Sequence, residues 1–178
     1  SGHSGIHFNN EIIETDSVNI MDFANVYNGG GVGVADVNND GLQDLYFTGN
    51  MVPNKLYLNK GDLTFEDITD ASNTAGKGKW CRGVSMIDIN NDGLMDMYVS
   101  ASINSNAKLR ENILYINKGA DKNGIPHFDN QATAYGLNDT THTTMSAFFD
   151  YDNDGDLDVF LAVNQIMDGD YPNRFRKL

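Results

Sequence analysis

The sequence predicts an all-β fold made of about three β-propeller-type blades, each a sheet of four antiparallel strands. Three observations lead to this fold class. A nine-residue acidic motif occurs at residues 36–44, 88–96 and 150–158. Short apolar runs rich in aromatic and β-branched residues flank every copy, which is typical of strands. The copies begin 52 and 62 residues apart, a spacing that fits one propeller blade per repeat.

Four strands are predicted in each repeat. The first leads into the acidic motif, and the second is the apolar run that follows it. The third is the alternating segment at residues 54–61, which is copied at residues 112–119. The fourth surrounds a phenylalanine (Phe8, Phe65 or Phe128) and forms the outer edge of a blade.

The repeats make up one region, residues 1–178. Its approximate units are residues 6–62, 63–125 and 126–178. The segments that vary between units, residues 70–79 and 101–110, are predicted to be surface loops. The recurring strand tyrosines are predicted to be core residues: Tyr46, Tyr57, Tyr98 and Tyr115.

Each acidic motif has the spacing of a calcium-binding loop. Oxygen-bearing side chains stand at positions 1, 3, 5 and 9, glycine stands at position 6, and the backbone carbonyl of position 7 supplies a further ligand. The predicted ligands of three Ca²⁺ ions are Asp36, Asn38, Asp40, Leu42 and Asp44; Asp88, Asn90, Asp92, Leu94 and Asp96; and Asp150, Asp152, Asp154, Asp156 and Asp158. The third loop is expected to bind most tightly, because its position 3 is an aspartate.

Two other interpretations of the motif are an EF-hand and a polar turn. An EF-hand has a bidentate glutamate at position 12 and a helix on each side. Position 12 here is Phe47, Val99 or Leu161, inside a strand-like run, which rejects the EF-hand. A turn rich in Asn and Asp needs no ion, but three copies in the same context favour ion binding.

Composition restricts the function further. The net charge is −13, and eleven of the 25 acidic residues lie in the three motifs (three, three and five). This acidity argues against nucleic-acid binding, and no apolar stretch is long enough for membrane insertion. Open calcium sites have a Kd of about 10⁻⁵ to 10⁻³ M, so the low Ca²⁺ concentration of the cytosol would leave them largely empty. This favours an extracellular or cell-surface location. The single Cys81 cannot form an internal disulfide.

The ends of the chain indicate an incomplete propeller. Residues 5–10 resemble an outer strand without a blade of its own, and a third strand that starts at Asn173 is cut short. Three blades are fewer than the roughly four that a closed ring needs. We therefore expect the remaining blades of a longer parent chain, or self-association, to complete the ring.

The repeats resemble the FG-GAP, or VCBS, family, best known from the propellers of integrin α subunits. The resemblance rests on GVGVADVNNDGLQDLYF at residues 31–47 and its two counterparts, on residues 54–61, and on the phenylalanine segments. Residues 27–31, followed by these repeats, are similar to large bacterial surface proteins. The resemblance implies Ca²⁺ in the hairpin between the first two strands of each blade, and a role in adhesion, scaffolding or, with added residues, polysaccharide cleavage.

No catalytic residue is predicted. His7 and His127 share one repeat position, which favours a structural role, and no nucleophile elbow, phosphate loop or zinc spacing occurs. His142 and residues 79–82, which include Trp80 and Cys81, are interpreted as loops where ligand binding could be added. The leading hypothesis is a non-enzymatic, extracellular module that binds or scaffolds a protein or glycan. A lyase-like enzyme portion and a structural spacer are the alternatives.

Overall fold

The computed structural model of the chain describes residues 2–16, 18–21 and 26–164. These residues contain two four-stranded antiparallel sheets and one two-stranded hairpin, which confirms an all-β architecture. The strands are β1 (Val32–Ala35), β2 (Asp44–Phe47), β3 (Lys55–Asn59), β4 (Phe65–Asp67), β5 (Trp80–Ile87), β6 (Asp96–Ser102), β7 (Ile113–Ala120), β8 (Pro126–Asn130), β9 (Thr143–Phe149) and β10 (Asp158–Val163). Two single-turn helices, α1 (Thr69–Ser72) and α2 (Ala107–Arg110), lie in connections.

Each sheet follows the chain order of its strands. Sheet 1 is β1-β2-β3-β4, sheet 2 is β5-β6-β7-β8, and β9 pairs with β10. The first two strands of each unit form a hairpin in which the residue before the acidic motif pairs with its last aspartate, as Ala35 does with Asp44. The same register recurs between Ile87 and Asp96. All three acidic motifs therefore close equivalent hairpins.

The outer strand predicted around Phe8 is wrong. Strands β4 and β8 do form around Phe65 and Phe128, but residues 5–10 form no strand. The Phe8 ring instead stacks on Phe47 of sheet 1, with ring centroids 5.2 Å apart. The Ser4 carbonyl accepts the N–H of Phe65 at 2.8 Å. In this position Phe8 covers an apolar face of sheet 1. If residues 5–10 instead paired with the edge of a sheet, that face would stay in contact with water.

The core lies between the layers. One cluster joins Tyr46 and Leu56 of sheet 1 to Met97 and Val99 of sheet 2. On its opposite face, sheet 2 packs Tyr98 and neighbouring residues against the β9–β10 hairpin. The four recurring tyrosines are all buried, as the sequence predicted. Sheet 2 is thus sandwiched between sheet 1 and the hairpin.

The first strands of the three units lie side by side, and glycines permit their close approach. A Cβ atom on Gly31 would stand 2.9 Å from the Arg82 carbonyl oxygen. One on Gly83 would stand 2.8 Å from the Thr144 carbonyl oxygen. Ser85 and Ser146 add a hydroxyl–hydroxyl hydrogen bond of 2.8 Å between β5 and β9. Side chains at the two glycine positions would push the layers apart.

Two interpretations of loops are also wrong in part. Trp80 and Cys81 begin β5 and are buried, because they pair with Ser102 and Ala101 at the end of β6. The segments at 70–79 and 101–110 contain α1 and α2, together with the end of β6. The short connection at residues 48–54 joins β2 to β3, whereas α2 lies in the equivalent connection of sheet 2.

The segment that contains α2 is held in place by local hydrogen bonds. The Asn106 side chain accepts the N–H of Lys108 at 3.0 Å. The Arg110 guanidinium donates to the carbonyls of Asn104 and Thr140. Neither helix in the described part of the chain has the length and apolar character needed to cross a membrane. The strand predicted to start at Asn173 lies outside the described residues.

Candidate metal centres

The three acidic motifs are called loop 1 (residues 36–44), loop 2 (88–96) and loop 3 (150–158). In loop 1, the two carboxylate oxygens of Asp36 accept the N–H groups of Asp40 at 3.1 Å and Gly41 at 2.7 Å. Asp40 accepts the N–H of Leu42 at 2.9 Å. Position 4 of the motif, Asn39, has φ 58°, and Gly41 has φ 87°. Asn and Gly tolerate this left-handed region, so these residue types allow the chain to wrap around its own carboxylates.

Loop 2 repeats these contacts residue for residue. Asp88 accepts the N–H groups of Asp92 at 3.0 Å and Gly93 at 2.8 Å. Asp92 accepts the N–H of Leu94 at 2.9 Å, and the Asn90 amide donates to Asp92 at 2.8 Å. Because two loops in different sheets adopt one conformation, the motif itself specifies that conformation.

The aspartate at position 9 ties its loop to the third strand. Asp44 is 1% exposed, and its two oxygens accept the N–H groups of Val37 at 2.9 Å and Asn59 at 2.8 Å. Asp96 makes the two equivalent contacts in loop 2, at 3.1 and 2.7 Å. This aspartate therefore has a structural role that its predicted role as a ligand did not include.

The carboxylates within one loop influence each other electrostatically. Burial, and to a smaller extent the charges of Asp40 and Asp36, raises the pKa of Asp44 to about 6. Burial likewise raises the pKa of Asp96, and the other two aspartates of loop 2 add to the effect. A bound cation would remove this repulsion and hold the carboxylates ionised.

Loop 3 brings three carboxylates closest together. Asp150, Asp152 and Asp158 each offer an oxygen atom within 4.8 Å of the other two, and all three residues are exposed. The backbone again donates to Asp150, from Asp154 at 3.1 Å and Gly155 at 3.0 Å. Oxygen donors gathered from one short loop are the ligand set that Ca²⁺ prefers. The residues of loop 3 therefore fit the predicted ion.

Loops 1 and 2 differ from loop 3 in their donor set. Their position 3 is an asparagine, and the Asn38 amide oxygen accepts the N–H of Asp40 at 3.2 Å. Hydrogen bonds of this kind also occur in ion-free Asn- and Asp-rich turns. Calcium binding at all three loops, and the ligand role of each residue, thus stay predictions.

One asparagine connects loops 1 and 2, a role that the sequence did not predict. Asn117 of β7 is 1% exposed, and its amide donates to the carbonyls of Val37 at 2.8 Å and Met95 at 3.1 Å. Its counterpart Asn59 in β3 donates to Gln43 alone, at 3.0 Å. The signal for this role was the Asn-Lys-Gly sequence, which occurs at the end of both third strands.

A second repeated asparagine joins the second and third strands. Asn54 accepts the N–H of Gly49 and donates to the Tyr46 hydroxyl, both at 2.8 Å. In sheet 2, Asn112 accepts the N–H of Ala101 at 2.7 Å and donates to the Tyr98 hydroxyl at 2.9 Å. Both asparagines are fully buried. Each satisfies polar groups that the core would otherwise leave without hydrogen bonds.

The other residues considered for function take structural positions. Cys81 is buried, and burial raises the pKa of its thiol to about 11. Trp80 packs with Val26 and Ile103 in a small apolar cluster. The backbone N–H of His7 donates to the Tyr57 hydroxyl at 3.2 Å. Among the described residues, the group of His, Cys, Asp and Glu side chains close enough together to hold an ion includes none of these three.

The conformation shared by loops 1 and 2 coincides with a known repeat. Residues 36–99 match the sequence profile of the FG-GAP-like repeat, from the first residue of loop 1 into β6. The chain carries an FG-GAP-like repeat. The match includes the whole of loops 1 and 2, all of β2 and the first four residues of β6. Loop 3 lies outside the matched range and shares the motif and the backbone contacts.

The chain is also similar in sequence to two known proteins. Cartilage acidic protein 1 of Xenopus tropicalis is 33% identical over 138 residues, which are 76% of this chain and 20% of that protein. Cartilage acidic protein 1 of Homo sapiens is 29% identical over 136 residues, 75% of this chain and 19% of that protein. The chain thus spans about a fifth of the length of these relatives. Both are vertebrate proteins, and the bacterial source suggested by residues 27–31 stays a prediction.

Proposed function

We propose that the chain is part of an extracellular, calcium-stabilised β-propeller-type module that binds or scaffolds a protein or glycan and has no catalytic activity. The FG-GAP-like repeat supports this proposal, and so does the arrangement of sheets whose first strands lie side by side. The name of the two relatives refers to cartilage, a tissue rich in extracellular matrix, which favours an extracellular setting. Further blades, from a parent chain or from other copies, would complete a ring of four to eight.

The observation that carries the proposal is the donor set of loop 3. Three carboxylate oxygens within 4.8 Å of one another repel, and a cation between them would remove this repulsion. The same backbone wrapping recurs in loops 1 and 2, which supports three ions per chain. A site whose Kd is ten- to a hundredfold below the ambient Ca²⁺ concentration adds about 1.4–2.7 kcal/mol of stability. The ions would therefore serve the fold rather than a reaction.

A cleft between sheet 2 and the segment that joins α1 to β5 supports a non-enzymatic role. It has a volume of about 340 Å³ and is lined by Lys77, Lys79 and Tyr115 among others. Lys77 pairs with Asp70 at 3.5 Å, and the Lys79 ammonium donates to two backbone carbonyls at 2.7 and 3.1 Å. Tyr115 is buried, and burial raises its pKa well above the ordinary value. Lys79 and Tyr115, which could otherwise transfer protons in this cleft, are thus hydrogen-bonded or buried.

Isothermal titration calorimetry with Ca²⁺ tests the metal centres. The wild-type chain should bind three ions, and Asp36→Asn, Asp88→Asn and Asp150→Asn should each remove one. Asp156→Asn is the matched control, because position 7 is predicted to contribute only its backbone carbonyl. A folded wild-type chain that takes up no Ca²⁺ would show that the loops are polar turns.

A binding screen tests the second part of the proposal. Labelled protein would be applied to a glycan array and to extracellular matrix proteins, with chelator as the control. Selective capture supports a binding module, whereas a complete lack of ligands indicates a structural spacer. Turnover of a polysaccharide by the full-length parent protein would instead establish an enzyme.

A further inference from the structure

We propose that loops 1 and 2 bind their ions cooperatively, so that an ion in either loop raises the affinity of the other, whereas loop 3 binds its ion independently. The inference rests on the proposed calcium sites and adds a coupling that calcium binding by itself does not imply. It is carried by a series of hydrogen bonds that joins the position-9 aspartates of loops 1 and 2.

Two residues connect these aspartates. The N–H of Val37 donates to the Asp44 carboxylate at 2.9 Å. The carbonyl of the same valine accepts the side-chain amide of Asn117 at 2.8 Å. The backbone N–H of Asn117 then donates to the Asp96 carboxylate at 2.7 Å. A predicted ligand of loop 1 is thus joined to a predicted ligand of loop 2 by consecutive hydrogen bonds.

Every member of this series is buried. Asp44, Val37, Asn117 and Asp96 are each at most 2% exposed. Water cannot replace a hydrogen bond that breaks there, and a buried polar group without a partner is costly. A displacement of one member must therefore be followed by the next. A cation that fixes the Asp44 carboxylate would in this way restrict Val37 and Asn117, and through them Asp96.

Asn117 also holds the backbone on which other ligands depend. Its side-chain amide donates a second time, to the Met95 carbonyl at 3.1 Å, and this carbonyl belongs to the peptide that leads to Asp96. The Val37 carbonyl belongs to the peptide that leads to Asn38, the predicted position-3 ligand of loop 1. One side chain thus orients a ligand-bearing peptide in each loop. If the first ion orders this side chain, the second ion pays less to order its own loop.

A second hydrogen bond joins the same two loops near the surface. The side-chain amide of Asn39 donates to the Gly93 carbonyl at 3.2 Å. Asn91 occupies the same position in loop 2 and has the same left-handed backbone, with φ 56° against 58° for Asn39. Among the described residues, however, no hydrogen bond joins loop 2 to loop 3. Loop 3 is therefore an internal reference for independent binding.

Repulsion between the ions acts in the opposite direction. An ion adds two positive charges to its loop and so weakens the attraction of a second ion to the neighbouring loop. The loops lie at the surface, where the Debye length is about 8 Å in 0.15 M salt, and buried contacts are screened much less. We therefore expect net positive coupling of at least about fivefold in affinity, the lower end of the usual range for coupled sites.

A Ca²⁺ titration of the ¹⁵N-labelled chain, followed by NMR, tests the coupling. The amide resonances of Gly41, Gly93 and Gly155 report on loops 1, 2 and 3, because each of these N–H groups donates to the position-1 aspartate of its own loop. Asp88→Asn, which disables loop 2, should raise the titration midpoint of Gly41 at least about fivefold. Asp36→Asn should raise the midpoint of Gly93 by the same factor, because coupling between binding sites is reciprocal.

Two controls separate this effect from charge alone. Asp150→Asn removes the same charge from loop 3 and should leave the midpoints of Gly41 and Gly93 unchanged. The shifts caused by Asp88→Asn and Asp36→Asn should persist in 1 M salt, where the Debye length is about 3 Å.

Two pairs of variants test the route. Asn117→Ala should reduce the coupling, whereas Asn59→Ala, which removes an amide that donates only to loop 1, should keep it. Asn39→Gly removes the surface contact and keeps the left-handed backbone, so it should also reduce the coupling, even if Asn117→Ala proves to be unfolded. Asn91→Gly is its matched control and should change nothing.

The possible results are distinct. A folded chain that takes up no Ca²⁺ would overturn the proposed calcium sites and this inference together. Three ions that bind with unrelated midpoints, or an ion in loop 1 that weakens loop 2, would overturn the cooperativity and leave the calcium sites in place. Coupling that stays at the wild-type level in both Asn117→Ala and Asn39→Gly would overturn the hydrogen-bonded route.

Discussion

Replacing Asn117 by alanine should destabilise the chain much more than the same change at its counterpart Asn59. Both substitutions remove an amide that caps a turn glycine and donates to the position-8 carbonyl of an acidic loop. Asn117→Ala also removes the 2.8 Å hydrogen bond to the Val37 carbonyl in loop 1. The difference between the two variants therefore isolates the contact that joins loop 1 to loop 2.

The size of this difference follows from burial. Asn117 is 1% exposed, so its loss leaves a carbonyl oxygen in the interior without a partner. An unsatisfied buried polar group costs about 1–3 kcal/mol. For a chain of this size, each kcal/mol lowers the melting temperature by about 2–4 °C. Asn117→Ala should thus melt about 2–12 °C below Asn59→Ala.

Thermal unfolding followed by circular dichroism at pH 7 measures this difference, in excess Ca²⁺ and in excess chelator. The difference should persist in chelator, because the hydrogen bond needs no ion. Asn117→Asp, which keeps the shape and replaces the donor by an acceptor, should be at least as unstable as Asn117→Ala. Equal melting temperatures for Asn117→Ala and Asn59→Ala would refute the role assigned to this side chain.

Further predictions concern the ions, the thiol and the contact between layers. Chelation of Ca²⁺ should lower the melting temperature substantially, and an unchanged melting curve would show that the ions do not stabilise the fold. Asp152→Asn gives loop 3 the donor set of the other loops, so calorimetry should show the loss of the tightest site, whereas Asp156→Asn should keep it. Cys81 should react with a thiol reagent only after unfolding, because it is buried and burial raises its pKa to about 11; rapid labelling of the native chain would contradict this. Gly83→Ala should lower the free energy of unfolding, measured in urea, by about 1–3 kcal/mol, because the new methyl group would meet the backbone of β9. Gly2→Ala is the control and should be neutral, because a Cβ atom there meets nothing within 4 Å.

The sequence predicted the parts of the fold that depend on local patterns. The acidic motifs fix their own hairpins, because Asn and Gly at positions 4 and 6 adopt the required left-handed conformations. Alternation predicted the third strands, and the tyrosines at strand positions proved to be buried. These features need no information about distant residues, which is why one sequence was enough to find them.

Features that depend on contacts between distant segments were missed. The pattern around Phe8 matches that of Phe65, but sheet 1 offers Phe8 an aromatic partner, Phe47, instead of a neighbouring strand. Trp80 resembled a loop residue because its strand partner, Ser102, lies beyond the acidic loop. Asn117 donates to backbone carbonyls, which every residue type has, so the sequence does not show which residues are its partners.

The connection between the second and third strands gives the fold a place where it can accept foreign sequence. In sheet 1, residues 48–54 alone join β2 to β3. In sheet 2, the equivalent connection also contains α2, yet β6 pairs with β7 in the same register as β2 pairs with β3. Antiparallel pairing puts this connection at the opposite end of the sheet from the acidic loops. A peptide grafted in place of residues 104–110 would therefore be displayed away from the acidic loops. New recognition surfaces could evolve there, or be engineered there, while the acidic loops stay the same.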